Sequence, residues 1–514
     1  MKLFKVAALF ILVGFSPLIA QEQMAIKLTG EECLLAVLQN NFQIKIQGAL
    51  PLINEQNLLY AESEFDPLLF GKIGDARSRT PSTSAFADPE VGEVTGRSFS
   101  MGVKQKLTPG TSYELSLAAE MTETNSRYAS LNPQYTPSLN FSLNQPLLKG
   151  SGGEVNKTGI VIAKNLKAMS DAEFAFNVME ILTRASEVYW DLVFLYKELA
   201  VLEESLERAG DFLARIKLQV VVGALAPIEI AAAEATVAVR KERLIDARYN
   251  ISNVQDVLKA LINKKSAQPG SEVRIEPIDE PKYEKLELKV ENLKQAAYEN
   301  RPDYHAAKLQ ISNSMKELAY NKNQLRPKID LQGVFTLKAV RGGARAVGFG
   351  NTLVTSSFDG GMGGALGDMT SGKYYDFYVG LIAEYPFYNR ASKSRVAKNL
   401  LELTISETSY SDIKQAIDIE VLRAVREINT AEQRIHATKA SRVLADKKLD
   451  AEIQKYEVGA STSFAVLEYQ HDLADRKSKE IKAIIDHIKA AARLELATGS
   501  VLKNRNILLE SAAP

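Results

Sequence analysis

From Ser392 to Val458 the sequence contains neither glycine nor proline, and from about Val155 to Val221 it contains no proline and only Gly159 and Gly210. Nothing in either run stops a helix, and at 1.5 Å per residue each would extend ~100 Å. A helix of that length belongs to a coiled-coil-like rod, not to an ordinary globule. Apolar residues recur three and four apart, as at Ile413, Ile417, Val421, Ala424 and Ile428, leaving a charged outer face for solvent. Each rod ends at a Val-Gly-Ala turn, Val222-Gly223-Ala224 in one case and Val458-Gly459-Ala460 in the other. Glycine there permits the left-handed residue that reverses a helix. A second helix follows each turn and runs to about Asn263 or Ala497. One starts near Pro227, suited to an opening turn, the other near Ser461 or Thr462, suited to capping.

The rods come as a pair because the chain carries an internal two-fold repeat. AVLQNN (Ala36 to Asn41) leads a helical run that ends at Asp66-Pro67, and AAYENR (Ala296 to Arg301) leads one that ends at Arg326-Pro327, with equal spacing from Asn40 to Pro67 and from Asn300 to Pro327. Each of those prolines stops a helix. Strand-like stretches then end at Pro146 and Pro386, and AKNL follows each, at Ala163 to Leu166 and Ala397 to Leu400. The sequence therefore divides into a signal peptide (1–20), a first repeat (21–266, strands in 66–147, helix hairpin 155–264), a linker rich in Pro, Glu and Lys (267–285), a second repeat (286–502, strands in 328–387, helix hairpin 390–498) and a C-terminal tail (503–514). The signal rests on Lys2 and Lys5, the apolar run Val6 to Phe15, the break at Ser16-Pro17 and the small Ala20. No other stretch is apolar for the ~20 residues a membrane helix needs, so membrane passage falls to strands.

Between the prolines the period changes to two. Leu139, Phe141 and Leu143 oppose Ser138, Asn140, Ser142 and Asn144; Tyr113, Leu115, Leu117 and Met121 oppose Ser112, Glu114, Ser116 and Glu120. Ser98 to Leu107, Ile329 to Lys338 and Tyr374 to Tyr385 alternate in the same way, and Phe65 to Gly74 does so weakly. Ten-residue strands, apolar on one face and polar on the other, are the pattern of a transmembrane barrel with a wet lumen. The first repeat offers up to four such strands and the second two. Single-chain bacterial barrels start at about eight, and a sheet edge cannot be left facing lipid. The barrel must be shared between chains.

Catalysis has no constellation to rest on. His305, His436, His471 and His487 stand singly on helical patterns, without metal-ligand spacing. Gly367 and Gly372-Lys373-Tyr374 approach a phosphate-binding loop, but tyrosine replaces the required Ser or Thr and a strand follows. The surrounding stretch, Arg341 to Gly372, reads as a mobile extracellular loop. Sixty-three basic residues balance 63 acidic ones, which gives no field for nucleic acid. The one cysteine, Cys33, reads as a packed helix residue. No enzyme, metal or cofactor is expected.

The order helix, strands, long hairpin, repeated twice, resembles the TolC-type outer-membrane efflux protein family from about Leu28 to Leu502. NQPLLKG (Asn144 to Gly150), NRPDY (Asn300 to Tyr304) and YEVGASTSFAVLEYQ (Tyr456 to Gln470) are the local matches. The resemblance implies an α+β membrane protein: a homotrimer whose shared barrel takes four strands from each copy and continues as a long α-helical coiled-coil tunnel in the periplasm. The turn at Thr108-Pro109-Gly110-Thr111 makes the first strand region longer than the second, so the hairpin either stands above the membrane or raises the count to six. It implies a periplasmic adaptor (membrane fusion) protein and an inner-membrane pump as partners, with Val222, Gly223, Ala224, Val458, Gly459 and Ala460 as the adaptor-contact tips. The strand–helix junctions fall at Pro67, Pro146, Pro327 and Pro386. Of the family's two acidic constriction positions, Glu468 is the candidate lumen residue and Ala465 departs from the pattern, as does Ser461 at the position of a basic gate residue found in some members. The implied role is an exit duct for efflux or type I secretion. A periplasmic or surface coiled-coil scaffold or adhesin without a pore is the alternative.

Overall fold

The computed structural model describes residues 25–81, 89–349 and 352–509; the signal-peptide expectation lies outside them. In chain order the first half runs β1 (Ala25–Leu28), α1 (Gly30–Asn40), α2 (Phe42–Glu62), β2 (Leu68–Pro81), β3 (Val91–Lys106), β4 (Ser112–Thr124), β5 (Leu131–Pro146), the short α3 (Gly153–Asn156), α4 (Thr158–Val221) and α5 (Ile228–Ile262). The second half runs β6 (Arg274–Pro277), α6 (Val290–Asn300), α7 (Pro302–Asn323), β7 (Lys328–Lys338), three short strands β8 (Arg341–Ala344), β9 (Val347–Phe349) and β10 (Thr352–Val354), then α8 (Met362–Thr370), β11 (Tyr375–Glu384), α9 (Arg390–Glu457), α10 (Ser463–Ala497) and α11 (Val501–Asn504). The two uninterrupted runs are single helices of 64 and 68 residues, α4 and α9. The chain divides into two compact units, and α4 and α9 supply residues to both.

The first unit comprises residues 1–46, 177–300 and 419–508. Its interior is helical. Val421, Ala424 and Ile428 of the stripe on α9 are buried, as the three-and-four spacing requires, and so are Tyr189, Leu192 and Ile485. Cys33 is fully buried on α1, and burial pushes its thiol up to about 12, so it is inert packing. Residues 267–285 are more than the expected linker. β6 pairs in parallel with β1, and the Asp279 carboxylate accepts from the Gly30 amide at 2.7 Å and the Tyr189 hydroxyl at 2.9 Å. A polar segment that satisfies buried donors is built into the fold even where its composition looks like a tether.

The second unit comprises residues 47–176, 301–418 and 509–514. Six long strands pair antiparallel in the order β2-β3-β4-β5-β7-β11, with β8 added beside β5. The asparagines of both AKNL motifs tie helices together. Asn165 donates to Asn313 at 2.7 Å, and Asn399 accepts from Asn321 at 2.6 Å. The glycine-rich stretch 341–372 differs from the expected loop: it holds β8–β10 and α8, and Arg341 pairs with Asp368 at 2.6 Å and donates to the Asp359 carbonyl. Low-complexity glycine hid an arginine that supplies the local order.

His487 lies buried on α10 beside Tyr283, ring centroids 5.1 Å apart. Burial holds its imidazole below the ordinary 6.5, against a smaller opposite pull from Glu432. As pH falls through about 6.5 the unfolded chain takes up a proton that the folded chain refuses, so stability is lost on acidification in that window. His487→Gln should flatten the dependence of thermal unfolding midpoint on pH between about pH 7 and pH 5.5; an unchanged slope would remove His487 from the balance.

Candidate functional site

The two helix-hairpin tips lie in the first unit and are built alike. In the first, Gly223 takes φ +77°, its amide donates to the Val220 carbonyl at 3.0 Å, and the Ala224 amide donates to the Gln219 carbonyl at 2.8 Å. In the second, Gly459 also takes φ +77°, its amide donates to the Tyr456 carbonyl at 3.0 Å, and Ala460 donates to the Lys455 carbonyl at 2.8 Å. Both are Schellman closures, in which a left-handed glycine lets the last carbonyls of a helix find donors. The next helices start as their sequences suggest. Pro227 precedes α5, and the Thr462 hydroxyl accepts from the Ala465 amide. At both tips the apolar residue points outward: Val222 is 76% exposed and Val458 78%. Leu218, Val221, Ile228 and Phe464 are exposed near them. Six large apolar side chains at helix ends are a surface suited to a protein partner.

Behind the tips the two hairpins are fastened to each other. Ala209, Phe212, Ile216, Ala233, Leu449, Val466 and Leu467 form one buried cluster. The Tyr456 hydroxyl of α9 donates to Gln219 of α4 at 2.5 Å, and the Ser463 hydroxyl of α10 donates to Glu229 of α5. Arg240 of α5 was not singled out by sequence. It stands 5% exposed and donates to the Ser205 carbonyl at 2.5 Å and the Leu467 carbonyl at 3.0 Å. Among the described residues no carboxylate pairs with it, and its Nε lacks a partner. Burial pushes the guanidinium down to about 10. In the sequence Arg240 sits in the run VAVRKER, which reads as a solvated face. Glu468 is exposed on α10, one turn beyond Phe464.

The second unit carries the sheet and the junctions. Pro67 and Pro327 immediately precede β2 and β7, Pro146 closes β5, and Pro386 follows β11. The Leu147 amide donates to the Ile329 carbonyl at 2.7 Å, and Asn323 accepts from the Gly150 amide at 2.7 Å, so the turns out of the strands are hydrogen-bonded and not loose. On one face of the sheet, residues opposite one another are apolar from strand to strand: Leu69, Val103, Leu115, Phe141, Phe335 and Phe377 form one row. Phe377 is 73% exposed, and Leu69, Val379 and Leu381 are similarly open. The other face carries Ser100, Ser116, Asn140 and Thr336. Among the described residues no group of carboxylates, histidines or cysteines could hold a metal ion.

Residues 293–500 match the outer membrane efflux protein family. The resemblance to TolC-type outer-membrane efflux proteins is borne out by that match, and the family is one of transport channels, not enzymes. It implies an outer-membrane location. No curated protein sequence matches the chain. Among solved structures the fold is that of the Campylobacter jejuni CmeC outer membrane channel, at 15% identity over 93% of this chain and 88% of that one, TM-score 0.64. The Vibrio cholerae outer membrane protein VceC (14% identity, 91% and 96%, TM-score 0.63) and the open state of the Neisseria gonorrhoeae MtrE outer membrane channel (14%, 91% and 88%, TM-score 0.62) share it.

A Cβ at Gly223 or Gly459 would meet nothing within 4 Å, so the penalty for alanine is torsional, about 1–2 kcal/mol for a left-handed residue. Gly223→Ala should speed amide hydrogen exchange at Ala224, and Gly459→Ala at Ala460, with exchange in the strands unchanged. Unaltered exchange at the tips would show that the closures do not depend on glycine.

Proposed function

We propose that three copies of this chain form an outer-membrane channel, the exit duct of a tripartite efflux pump or a type I secretion system. The observation that carries this is the sheet, with one exposed apolar face and two strand edges, β2 and β11, left unpaired among the described residues. Such a sheet is stable where lipid covers the face and further copies cover the edges. The internal repeat then supplies two helix hairpins per copy to a periplasmic helical conduit. Its exposed tips, Val222-Gly223-Ala224 and Val458-Gly459-Ala460, dock a periplasmic adaptor that joins the duct to an inner-membrane pump. Glu468, exposed and repeated by threefold symmetry, forms an acidic ring in the lumen. A pore-free scaffold has no use for this sheet.

The purified protein should run as a heat-modifiable oligomer, cross-link to three copies and conduct ions across a planar bilayer. A soluble monomer without conductance would end the reading. Val222→Glu combined with Val458→Glu should leave outer-membrane insertion and conductance intact while abolishing cross-linking to the adaptor in cells. Retained cross-linking would move the contact away from the tips.

A further inference from the structure

We propose that β3 and β4 cross the membrane alongside the other four long strands, so that each copy contributes six strands and three copies close an eighteen-stranded barrel. This rests on the three-copy channel reading above and adds the hairpin to it. A β3–β4 hairpin standing outside the membrane would be offset from β5. Instead β4 pairs with β5 from Ser112 opposite Asn144 to Thr122 opposite Gln134, and β3 pairs with β4 from Lys106 opposite Ser112 to Val94 opposite Thr124. The hairpin is level with its neighbours, and its apolar positions fall in their apolar rows. Met101 and Leu117 stand in line with Leu139, Leu337 and Tyr375. Phe99, Met101 and Leu115 are exposed. On β3, Arg97 and Gln105 bracket the apolar positions of that face. On β4 the same face runs from Tyr113 through Leu115, Leu117 and Ala119 to Met121, and those eight steps span ~26 Å of strand, comparable to the apolar band of an outer-membrane barrel.

The turn gives the second argument. Gly110 takes φ +98°, and a Cβ there would fall 2.5 Å from the Gly150 carbonyl. The Gly152 amide donates to the Pro109 carbonyl at 3.1 Å, and the Thr111 hydroxyl donates to Gln145. Nearby, Gln105 donates to the Phe65 carbonyl at 2.8 Å and Lys106 pairs with Glu64 at 2.6 Å. The turn is therefore rooted against the residues that lead into β2 and out of β5, at the end of the sheet where the helices begin. At the opposite end β7 and β11 are joined through 339–374, far longer than this tight turn. Short turns on the periplasmic side and long loops outside are the rule for outer-membrane barrels.

Six strands also join correctly. β2 leaves the helical end and β11 returns to it, so β11 of one copy meets β2 of the next antiparallel, like every other pair in the sheet. Their unpaired edges are then satisfied by a second copy of this chain. Eighteen strands enclose an aqueous channel of porin width, wider than twelve would, and suit the duct to bulkier solutes.

Cysteine scanning tests this in outer-membrane vesicles. Native Cys33 is fully buried, so the unsubstituted chain is the unlabelled control. A water-soluble maleimide should label Ser116→Cys and Ala118→Cys on β4 and lose labelling at Leu115→Cys and Leu117→Cys, which a lipid-soluble maleimide should reach. Asp376→Cys and Phe377→Cys on β11 serve as the reference pair. Alternation on both strands supports six membrane strands. Alternation on β11, with water-soluble labelling of both faces of β4, overturns the proposal and leaves the channel standing. Alternation on neither overturns the channel reading as well.

Discussion

The backbone amides and carbonyls along the free edges of β2 and β11 set the terms for everything else. In the interior of a bilayer each unpaired group costs several kcal/mol, and the apolar face beside them cannot face water without associating. A soluble monomer would have to cover that face with its own helices, as two-layer folds do. Here Leu69, Phe377, Val379 and Leu381 stay open. In the proposed channel the sheet has lipid on one face, water on the other and a copy of itself at each edge. Symmetry meets the last requirement at no cost in sequence, because the same two edges recur in every copy.

The helical hairpins answer to a different balance. Their charges are numerous but paired across helices, as in Lys477 with Glu204 and Lys489 with Asp191, both at 2.8 Å. Partly exposed pairs of this kind are worth about 0–1 kcal/mol each. They contribute alignment, while the buried stripe of Val421, Ala424 and Ile428 supplies the cohesion. Near the tips the fastening becomes polar and directional. Arg240 spans two carbonyls on different helices, with no carboxylate paired to it among the described residues. A buried guanidinium held by neutral oxygens is less firmly held than one paired with carboxylate, and part of its hydrogen-bonding capacity goes unused. The end of the bundle that a partner would engage is thus fastened by a few specific bonds over a small apolar cluster.

Much of this was legible in the sequence because it rests on periodicity and punctuation. The two long helices needed only the absence of glycine and proline, and their ends needed only Gly223 and Gly459. The strands declared themselves by alternation, and the structure lengthens β3, β4 and β5 beyond the alternating core while β7 and β11 keep nearly the expected bounds. What escaped notice was non-local. Residues 267–285 look like a tether until β1 pairs with β6 and Asp279 meets Gly30. Arg341 looks like one charge in a glycine-rich loop until Asp368, far along the chain, turns it into an anchor. Arg240 sits in a basic run whose other members face solvent. Sequence pattern reports which face a residue occupies within its own element, and it is silent on polar partners brought together by tertiary structure.

The level placement of the β3–β4 hairpin bears on how a channel of this design can change its bore. Strands that start and finish at the helical end can be added only in pairs, since a single extra strand would bring β11 and the next copy's β2 together parallel. A hairpin rooted beside Pro146 satisfies that parity without moving any point where the chain passes from strand to helix. It also brings its own apolar row and its own polar row, each in register with its neighbours. In the proposed three-copy channel symmetry multiplies the addition, so the smallest permitted step is six strands. A barrel assembled from this chain can therefore widen in one discrete jump while keeping the same edges, β2 and β11, for joining one copy to the next.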